Sequence, residues 1–111
     1  MRKHSPGMRG IMEYTKEIHD QVCTVTLHGK FTFSDHQTFK QFIGMLPEGS
    51  FRQFALSMEN LVFVDSAALG ILLLLRDECE RAGVTLVLKN PVGQVKKMFE
   101  ISRFYDLFTV L

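Results

Sequence analysis

The chain has 111 residues, a length that favours one domain built around a single hydrophobic core. Hydrophobic residues make up 46% of it and charged residues 23%, so the chain is too apolar to be disordered. Its formal net charge of +1 provides no strong positive field, and we therefore expect neither nucleic acid nor an anionic membrane as a partner.

The first features that the sequence predicts are a leader and a β-hairpin. Residues 1–11 are basic, contain Pro6 and lack the apolar core of a signal peptide, so we expect a flexible leader. The folded domain is expected to cover residues 12–111. Within residues 12–27, two stretches rich in β-branched and apolar residues flank a polar turn, which predicts a hairpin. We expect Gly29 to end its second strand.

A first helix follows the hairpin. Ser34 and, three residues later, Gln37 fit a capping box, and apolar residues recur behind them at helical spacing. These signals predict a helix over about residues 35–46. Pro47 and Gly49 are expected to stop it.

The next stretch predicts a buried strand and a connection. Residues 54–58 are apolar enough for a strand in the core, and residues 61–64 form an apolar approach to the next element. Glu59 and Asn60 lie between the two, where we expect them to shape a loop.

The longest predicted helix follows Asp65 and ends before Gly83, a residue that tolerates a left-handed stop. With Asp65 as N-cap, Val64 and Leu69 occupy the two positions of a hydrophobic staple, which favours Asp65 over Ser66 as the cap. The Ser66 hydroxyl then lies at the first helical position, where it points away and is available. The apolar run in this helix is about half of what a bilayer needs, so we expect no membrane span.

The last third of the chain predicts a strand, a helix and a closing segment. Residues 84–88 are almost wholly apolar and predict a central strand. Asn90 and Pro91 are expected to open a third helix as its cap and first residue. Residues 104–111 fit a short helical turn followed by an edge strand. Strands that alternate with helices after a hairpin imply an α/β fold with a mixed sheet, whose later strands are parallel.

Ser66 is the candidate for a phosphorylation switch. A phosphoryl group there would lie at a helix N-terminus, where free amides and the helix dipole favour negative charge. A partner docked over it would have to desolvate nearly two negative charges. Leu69 and Leu73 fall opposite the inner stripe of the same helix, so we expect them to be exposed as a docking patch. The pattern alone also allows a plain helix cap followed by core leucines.

These residues resemble the STAS domain, which is shared by bacterial anti-sigma factor antagonists and the cytoplasmic tails of sulfate transporters. The resemblance covers residues 12–111 and implies a mixed sheet with helices packed mainly on one face. Its central mark is the run Asp65-Ser66-Ala67-Ala68-Leu69-Gly70, which is similar to the family's Asp-Ser-Ser-Gly-Leu-Gly.

The resemblance implies an anti-sigma factor antagonist controlled by phosphorylation. In such proteins an anti-sigma factor that is also a serine kinase phosphorylates the serine that corresponds to Ser66, and a serine phosphatase of the metal-dependent class reverses the reaction. The unphosphorylated form binds the anti-sigma factor and the phosphorylated form releases it. The chain would thus be a substrate and not an enzyme, a monomer without metal or cofactor. The partner-binding residues would be Asp65, Ser66, Ala67, Leu69, Leu73 and Thr32.

Two departures from the family pattern concern the same site. Ala67 and Ala68 replace the second serine and the glycine of the run, which leaves one hydroxyl. The family's Gly-Glu-Leu-Asp pattern is here Gly29-Lys30-Phe31-Thr32, so an acidic residue near the partner surface is missing and a lysine is gained.

Two further hypotheses compete with the switch. A STAS scaffold could bind another signalling protein or a small ligand constitutively, with Ser66 only completing the helix start. A receiver that uses Asp65 would need more carboxylates at a strand end to hold magnesium, and residues 27–30 offer none. Cys23 and Cys79 form no C-x-x-C pair and are expected to be buried thiols in a reducing compartment, which favours a cytoplasmic protein.

Overall fold

A computed structural model of the chain describes residues 3–4 and 12–111. Lys3–His4 form a short strand, β1, which pairs with the strand that follows it. The other residues of the expected leader lie outside the described residues, so the leader remains a prediction.

The described residues form one mixed sheet of six strands in the order β1-β2-β3-β4-β5-β6. The first three strands pair antiparallel, and β3, β4, β5 and β6 pair parallel, because helices connect them. The α/β class and the mixed sheet are therefore confirmed. The remaining strands are β2 (Glu13–His19), β3 (Val22–Phe31), β4 (Gln53–Val64), β5 (Thr85–Lys89) and β6 (Thr109–Val110), and the helices are α1 (His36–Met45), α2 (Ser66–Ala82) and α3 (Gly93–Ile101).

The hairpin of β2 and β3 forms as predicted. Asp20 and Gln21 connect the strands with φ angles of 52° and 66°, the left-handed conformation that both central residues of a type I′ turn require. On β3, the side chains of Cys23, Val25 and Leu27 are fully buried, and they alternate with half-buried polar residues. One face of the hairpin therefore belongs to the core.

The helices cover this face of the sheet, and aromatic rings fill the space between. Phe31 of β3 stacks on Phe39 of α1 with ring centroids 4.6 Å apart, and Phe42 of α1 contacts Tyr14 of β2 and Phe54 of β4 at 5.0 and 5.7 Å. On the opposite face, polar side chains meet in register and stay partly exposed, among them Thr15, Thr24 and Thr26. Helices packed on one face match the expectation.

The β4 strand differs from the prediction. It runs without a break over Gln53–Val64, so Glu59 and Asn60 lie within a strand and not in a loop. The pairing with β3 shifts twice, between Thr26/His28 and between Gly29/Lys30, and each time β4 carries the extra residue. Such bulges bend a strand and increase its twist without ending it.

The expected end of β3 at Gly29 is also wrong. Gly29 has a φ of 91°, which a glycine tolerates, and the strand continues to Phe31. Both strands therefore extend further toward the start of α2 than the sequence suggested.

The starts of α1 and α3 differ from the prediction as well. The capping box before α1 is formed by Thr32 and Asp35 around a 3-10 turn, and not by Ser34 and Gln37. In α3 the N-cap is Val92, because Asn90 adopts a φ of 59° and so turns the chain before the helix begins.

The two ends of α2 and the closing segment match the prediction. Asp65 caps α2, and Gly83 ends it with a φ of 74°. A 3-10 turn at Phe104–Asp106 precedes the short edge strand β6. Cys79, on α2, is buried, and burial raises the pKa of its thiol to about 12. In the part of the chain that the structure describes, no helix is long and apolar enough to cross a membrane.

Candidate functional site

Ser66 is the first residue of α2, at the edge of the sheet where the parallel strands β3 and β4 end. Its side chain is exposed, as predicted. The loop between β3 and α1 begins at the same edge, because Phe31 at the end of β3 pairs with Val64 at the end of β4. The site therefore combines the start of α2 with this loop.

Asp65 links the two parts of the site through its carboxylate. Oδ1 accepts a hydrogen bond from the backbone N–H of Ala68 at 2.7 Å, which caps α2. Oδ2 accepts the backbone N–H of Phe33, in the loop, at 3.4 Å. The backbone N–H of Asp65 in turn donates to the carbonyl of Phe31 at 3.4 Å. Hydrogen bonds to α2 and to the loop therefore hold Asp65 in place. Because Asp65 caps the helix, the Ser66 hydroxyl is not needed as the cap.

The carboxylate of Asp35 stabilises the loop between β3 and α1. The backbone N–H of Thr32 donates to Oδ2 of Asp35 at 2.8 Å, and the N–H of Asp35 donates to the carbonyl of Thr32 at 3.0 Å. The Thr32 hydroxyl lies 2.8 Å from the hydroxyl of Ser34. Thr32 therefore stabilises the loop, and its role toward a partner remains a prediction.

The Asp35 carboxyl is buried, with only 3% of the residue exposed. Burial raises its pKa above the ordinary value of 3.8, and the nearby charge of Asp65 raises it further, while hydrogen bonds from the backbone of Thr32 and Met12 oppose the shift. The charge of Asp65 therefore acts on the buried Asp35 carboxyl at this corner.

The raised pKa of Asp35 predicts a dependence of stability on pH. Well below pH 3.8 this carboxyl is protonated in both the folded and the unfolded chain. As pH rises, the unfolded chain loses the proton first, so the contribution of Asp35 to the free energy of unfolding falls until the folded-state pKa is passed. In Asp35→Asn this contribution is absent. Urea unfolding of both proteins from pH 3.5 to 7 should show the stability of wild type relative to Asp35→Asn decreasing with pH.

A constant or increasing stability difference would contradict this prediction. It would mean that the hydrogen bonds from Thr32 and Met12 outweigh the effect of burial on Asp35.

The predicted leucine patch is not what the structure shows. Leu69 is buried, with 7% exposed, and Leu73 is half-buried against the core, so the expectation that both are exposed is wrong. The reason is that α2 packs on α1 and on the loop before it as well as on the sheet, which buries a wider part of its surface. The exposed leucine of this helix is Leu74, at 42%. Ala67 is half-buried beside Ser66.

The exposed apolar side chains at this edge come from other elements. Phe33 of the loop is 68% exposed, and Val62 and Phe63 near the end of β4 are 64% and 37% exposed. We call these three residues the apolar rim. Large apolar side chains that are exposed at a strand end and in the loop beside it are candidates for a surface that binds other molecules. Lys30, also exposed, pairs with Phe63 across the two strands and adds a positive charge.

Sequence reasoning missed the apolar rim because none of its residues lies on a helix stripe. An aromatic residue directly after a predicted strand and before a helix start was the available signal for Phe33. Val62 and Phe63 could not be distinguished from core residues without the bulges in β4, which change the face to which a strand residue points.

The side chain of Gln94, on α3, binds the backbone at the end of β4, next to the site. Its Nε2 donates to the carbonyl of Val64 at 3.0 Å, and its Oε1 accepts the N–H of the same residue at 2.9 Å. Both backbone groups of the residue before Asp65 are therefore satisfied by one side chain, which fixes the position where α2 starts. No local pattern around Gln94 or Val64 predicts this contact.

The described residues contain no cluster of three or more His, Cys, Asp or Glu side chains that could hold a metal ion. The chemistry visible at this edge is an exposed hydroxyl next to a helix start, an apolar rim and a lysine. These groups suit recognition of another protein surface.

Comparison with known proteins concerns the domain as a whole. A family model described as the STAS domain matches residues 13–111. A STAS-domain containing protein of Pseudomonas aeruginosa is 33% identical over 93 residues, which are 81% of this chain and 88% of that protein.

Solved structures share the fold at low sequence identity. An anti-sigma factor antagonist from Mycobacterium paratuberculosis has a TM-score of 0.73 at 18% identity, over 95% of this chain and 89% of its own. The phosphorylated form of SpoIIAA, a Bacillus cell fate determinant, has a TM-score of 0.68 at 20% identity, over 88% of this chain and 90% of its own.

Proposed function

The chain belongs to the STAS domain family, and from that premise we propose that it is an anti-sigma factor antagonist controlled by phosphorylation of Ser66. Unphosphorylated, it binds an anti-sigma factor that is also a serine kinase. Phosphorylated, it releases this partner until a serine phosphatase of the metal-dependent class restores it. The observation that carries the proposal is an exposed Ser66 hydroxyl at a helix start beside an exposed apolar rim.

The structure supports a switch that acts on binding and not on folding. Ser66 is exposed and lies outside the core, and the cap of α2 comes from Asp65. A phosphate on Ser66 would stay in water when the protein is free. When a partner covers the rim, the same phosphate would have to be desolvated next to the Asp65 carboxylate, which disfavours the complex.

The protein acts as a substrate and a binding partner in the cytoplasm, as a monomer and without catalysing a reaction. SpoIIAA, which shares the fold, is an anti-sigma factor antagonist for which both unphosphorylated and phosphorylated structures exist. That precedent supports the proposal that a domain of this fold can carry a phosphoryl group.

A charge at Ser66 should break the complex without unfolding the domain. We expect Ser66→Asp to weaken partner affinity by more than about tenfold, or about 1.4 kcal/mol, while Ser66→Ala binds like wild type. Thermal unfolding should change little in both. The partner is captured with wild type from the native cell, identified by mass spectrometry, purified and titrated against each variant by calorimetry.

Ser50 offers a matched control for this experiment. It is exposed, and it lies before the start of β4, at the opposite end of this strand from Ser66. Ser50→Asp adds the same charge to the same molecule and should leave affinity unchanged. Equal affinities of wild type and Ser66→Asp would refute the switch.

The second candidate function is a constitutive STAS scaffold in which Ser66 is never modified. The half-buried Thr32 and the helix cap would then serve structure alone. Mass spectrometry of the protein from its native cell distinguishes the two, because the scaffold predicts no phosphate on Ser66 under any growth condition.

A further inference from the structure

Asp65 connects the residue that follows it, Ser66, with the most exposed aromatic ring near the site. One carboxylate oxygen caps α2 through Ala68 at 2.7 Å, and the other holds the backbone N–H of Phe33 at 3.4 Å. The Phe33 ring is 68% exposed and stacks only loosely on His36, with ring centroids 6.1 Å apart. The position of Phe33 therefore depends on its backbone, to which Asp65 contributes one of the contacts.

The two contacts of Asp65 differ in strength. The bond to Ala68 is short and partly buried, whereas the bond to Phe33 is long and exposed to water. Hydrogen bonds weaken with distance, and water competes for exposed ones. A disturbance of the Asp65 carboxylate should therefore affect Phe33 before it affects the start of α2.

Negative charge is already concentrated at this corner. The carboxylates of Asp35 and Asp65 accept the neighbouring amides of Thr32 and Phe33. Because these two amides are adjacent in the chain, the two carboxylates lie near each other, and the charge of Asp65 adds to the raised pKa of Asp35. A phosphate on Ser66 would add nearly two more negative charges one residue away and would repel the Asp65 carboxylate, which disturbs its longer, exposed bond to Phe33 first.

We propose that Asp65 is a positioning residue that couples Ser66 to Phe33, so that a phosphate on Ser66 weakens the Phe33 N–H···Asp65 bond and loosens the Phe33 ring. Phosphorylation then acts twice on a partner: it adds charge to the surface, and it disorders an apolar residue of the rim. The inference rests on the proposed switch at Ser66, and it concerns the conformation of the free protein.

Amide–water exchange measured by NMR tests this coupling without any partner. The protein is prepared with phosphoserine incorporated at position 66 and compared with the unmodified chain. We expect the Phe33 amide to exchange about three- to tenfold faster in the phosphoprotein, the range that loss of one net hydrogen bond allows. The Thr32 amide, held by Asp35, should change less than twofold.

The Thr32 amide also corrects for the direct influence of the phosphate charge on exchange chemistry. Because it is the neighbour of Phe33, it experiences a similar added charge but keeps its own acceptor. The ratio of the two exchange rates therefore isolates the bond to Asp65. Phosphoserine at position 50 serves as the control for a remote modification.

Asp65→Asn provides the matched variant. An asparagine oxygen can still accept the N–H of Ala68, but its amide nitrogen cannot accept the N–H of Phe33. We expect this variant alone to accelerate Phe33 exchange about as much as phosphoserine does, with no further increase when both are present. The amides of α2 report whether the helix remains folded.

An unchanged Phe33-to-Thr32 ratio in the phosphoprotein would overturn the inference, whatever Asp65→Asn does. Additive effects of phosphoserine and Asp65→Asn would also overturn it, because the phosphate would then act without Asp65. Either result leaves the proposed switch to be decided separately by the affinities of the Ser66 variants.

Discussion

Replacing Phe33 with alanine should weaken partner binding by about 2 kcal/mol or more, while the free energy of unfolding changes by about 0.5 kcal/mol or less. Aromatic side chains that are exposed in the free protein and buried in a complex are frequent hot spots of binding energy. The Phe33 ring is 68% exposed and adds little to the core, so its removal costs the folded domain almost nothing. Calorimetric titration with the purified partner and urea unfolding measure the two quantities.

Ile101 is the matched control for the Phe33 prediction. Its side chain is 70% exposed at the end of α3, so Ile101→Ala removes a similarly exposed apolar group from another part of the surface. We expect its affinity for the partner to equal that of wild type. Equal weakening by the two substitutions would mean that exposed apolar area in general drives binding, and the apolar rim would lose its role.

The parts of the site that the sequence predicted are those set by local signals. Asp65 caps α2 and Gly83 ends it, because a carboxylate before an apolar helix and a glycine after it act on backbone groups a few residues away. The turn of the hairpin is equally local. For the same reason, Ser66 could be placed at the helix start before any tertiary contact was known.

The parts that the sequence did not predict depend on contacts between distant elements. Leu69 is buried because α1 and its preceding loop pack beside α2, a contact that the helix stripe of α2 alone does not reveal. Thr32 was predicted only as a partner contact, which stays a prediction, whereas the structure shows that it forms the capping box with Asp35, whose carboxyl lies in the interior. Both Ser34 and Thr32 are followed by an acceptable capping partner, so the local pattern could not decide between them.

The register of β4 explains why the candidate docking surface lies at the strand ends and not on α2, where the sequence predicted it. Because β4 carries an extra residue at each of its two shifts against β3, the simple alternation of inward and outward residues fails beyond Ser57. Leu61 and Val64 then point into the core, whereas Val62 and Phe63 are exposed. The two bulges of β4 therefore leave Val62 and Phe63 exposed at the same edge of the sheet as Ser66.

Replacing Phe42 with alanine should have the opposite consequence to Phe33→Ala, because the same residue type lies here in the interior. Phe42 is 1% exposed and its ring contacts Tyr14 at 5.0 Å, Phe39 at 5.0 Å and Phe54 at 5.7 Å, so it joins the hairpin, α1 and β4. Removal of a buried phenylalanine ring typically costs about 3–5 kcal/mol, a large part of the stability of a domain of this size.

Urea unfolding should therefore show a strongly lowered midpoint for Phe42→Ala, and the affinity of the molecules that remain folded should match that of wild type. Phe42→Leu, which keeps most of the apolar volume, should lose clearly less stability. A loss below about 1 kcal/mol in Phe42→Ala would show that the aromatic contacts between α1 and the sheet are not what holds this layer together. If folded Phe42→Ala also bound the partner weakly, stability and recognition would not be separable, since α1 would then transmit core packing to the loop that carries Phe33.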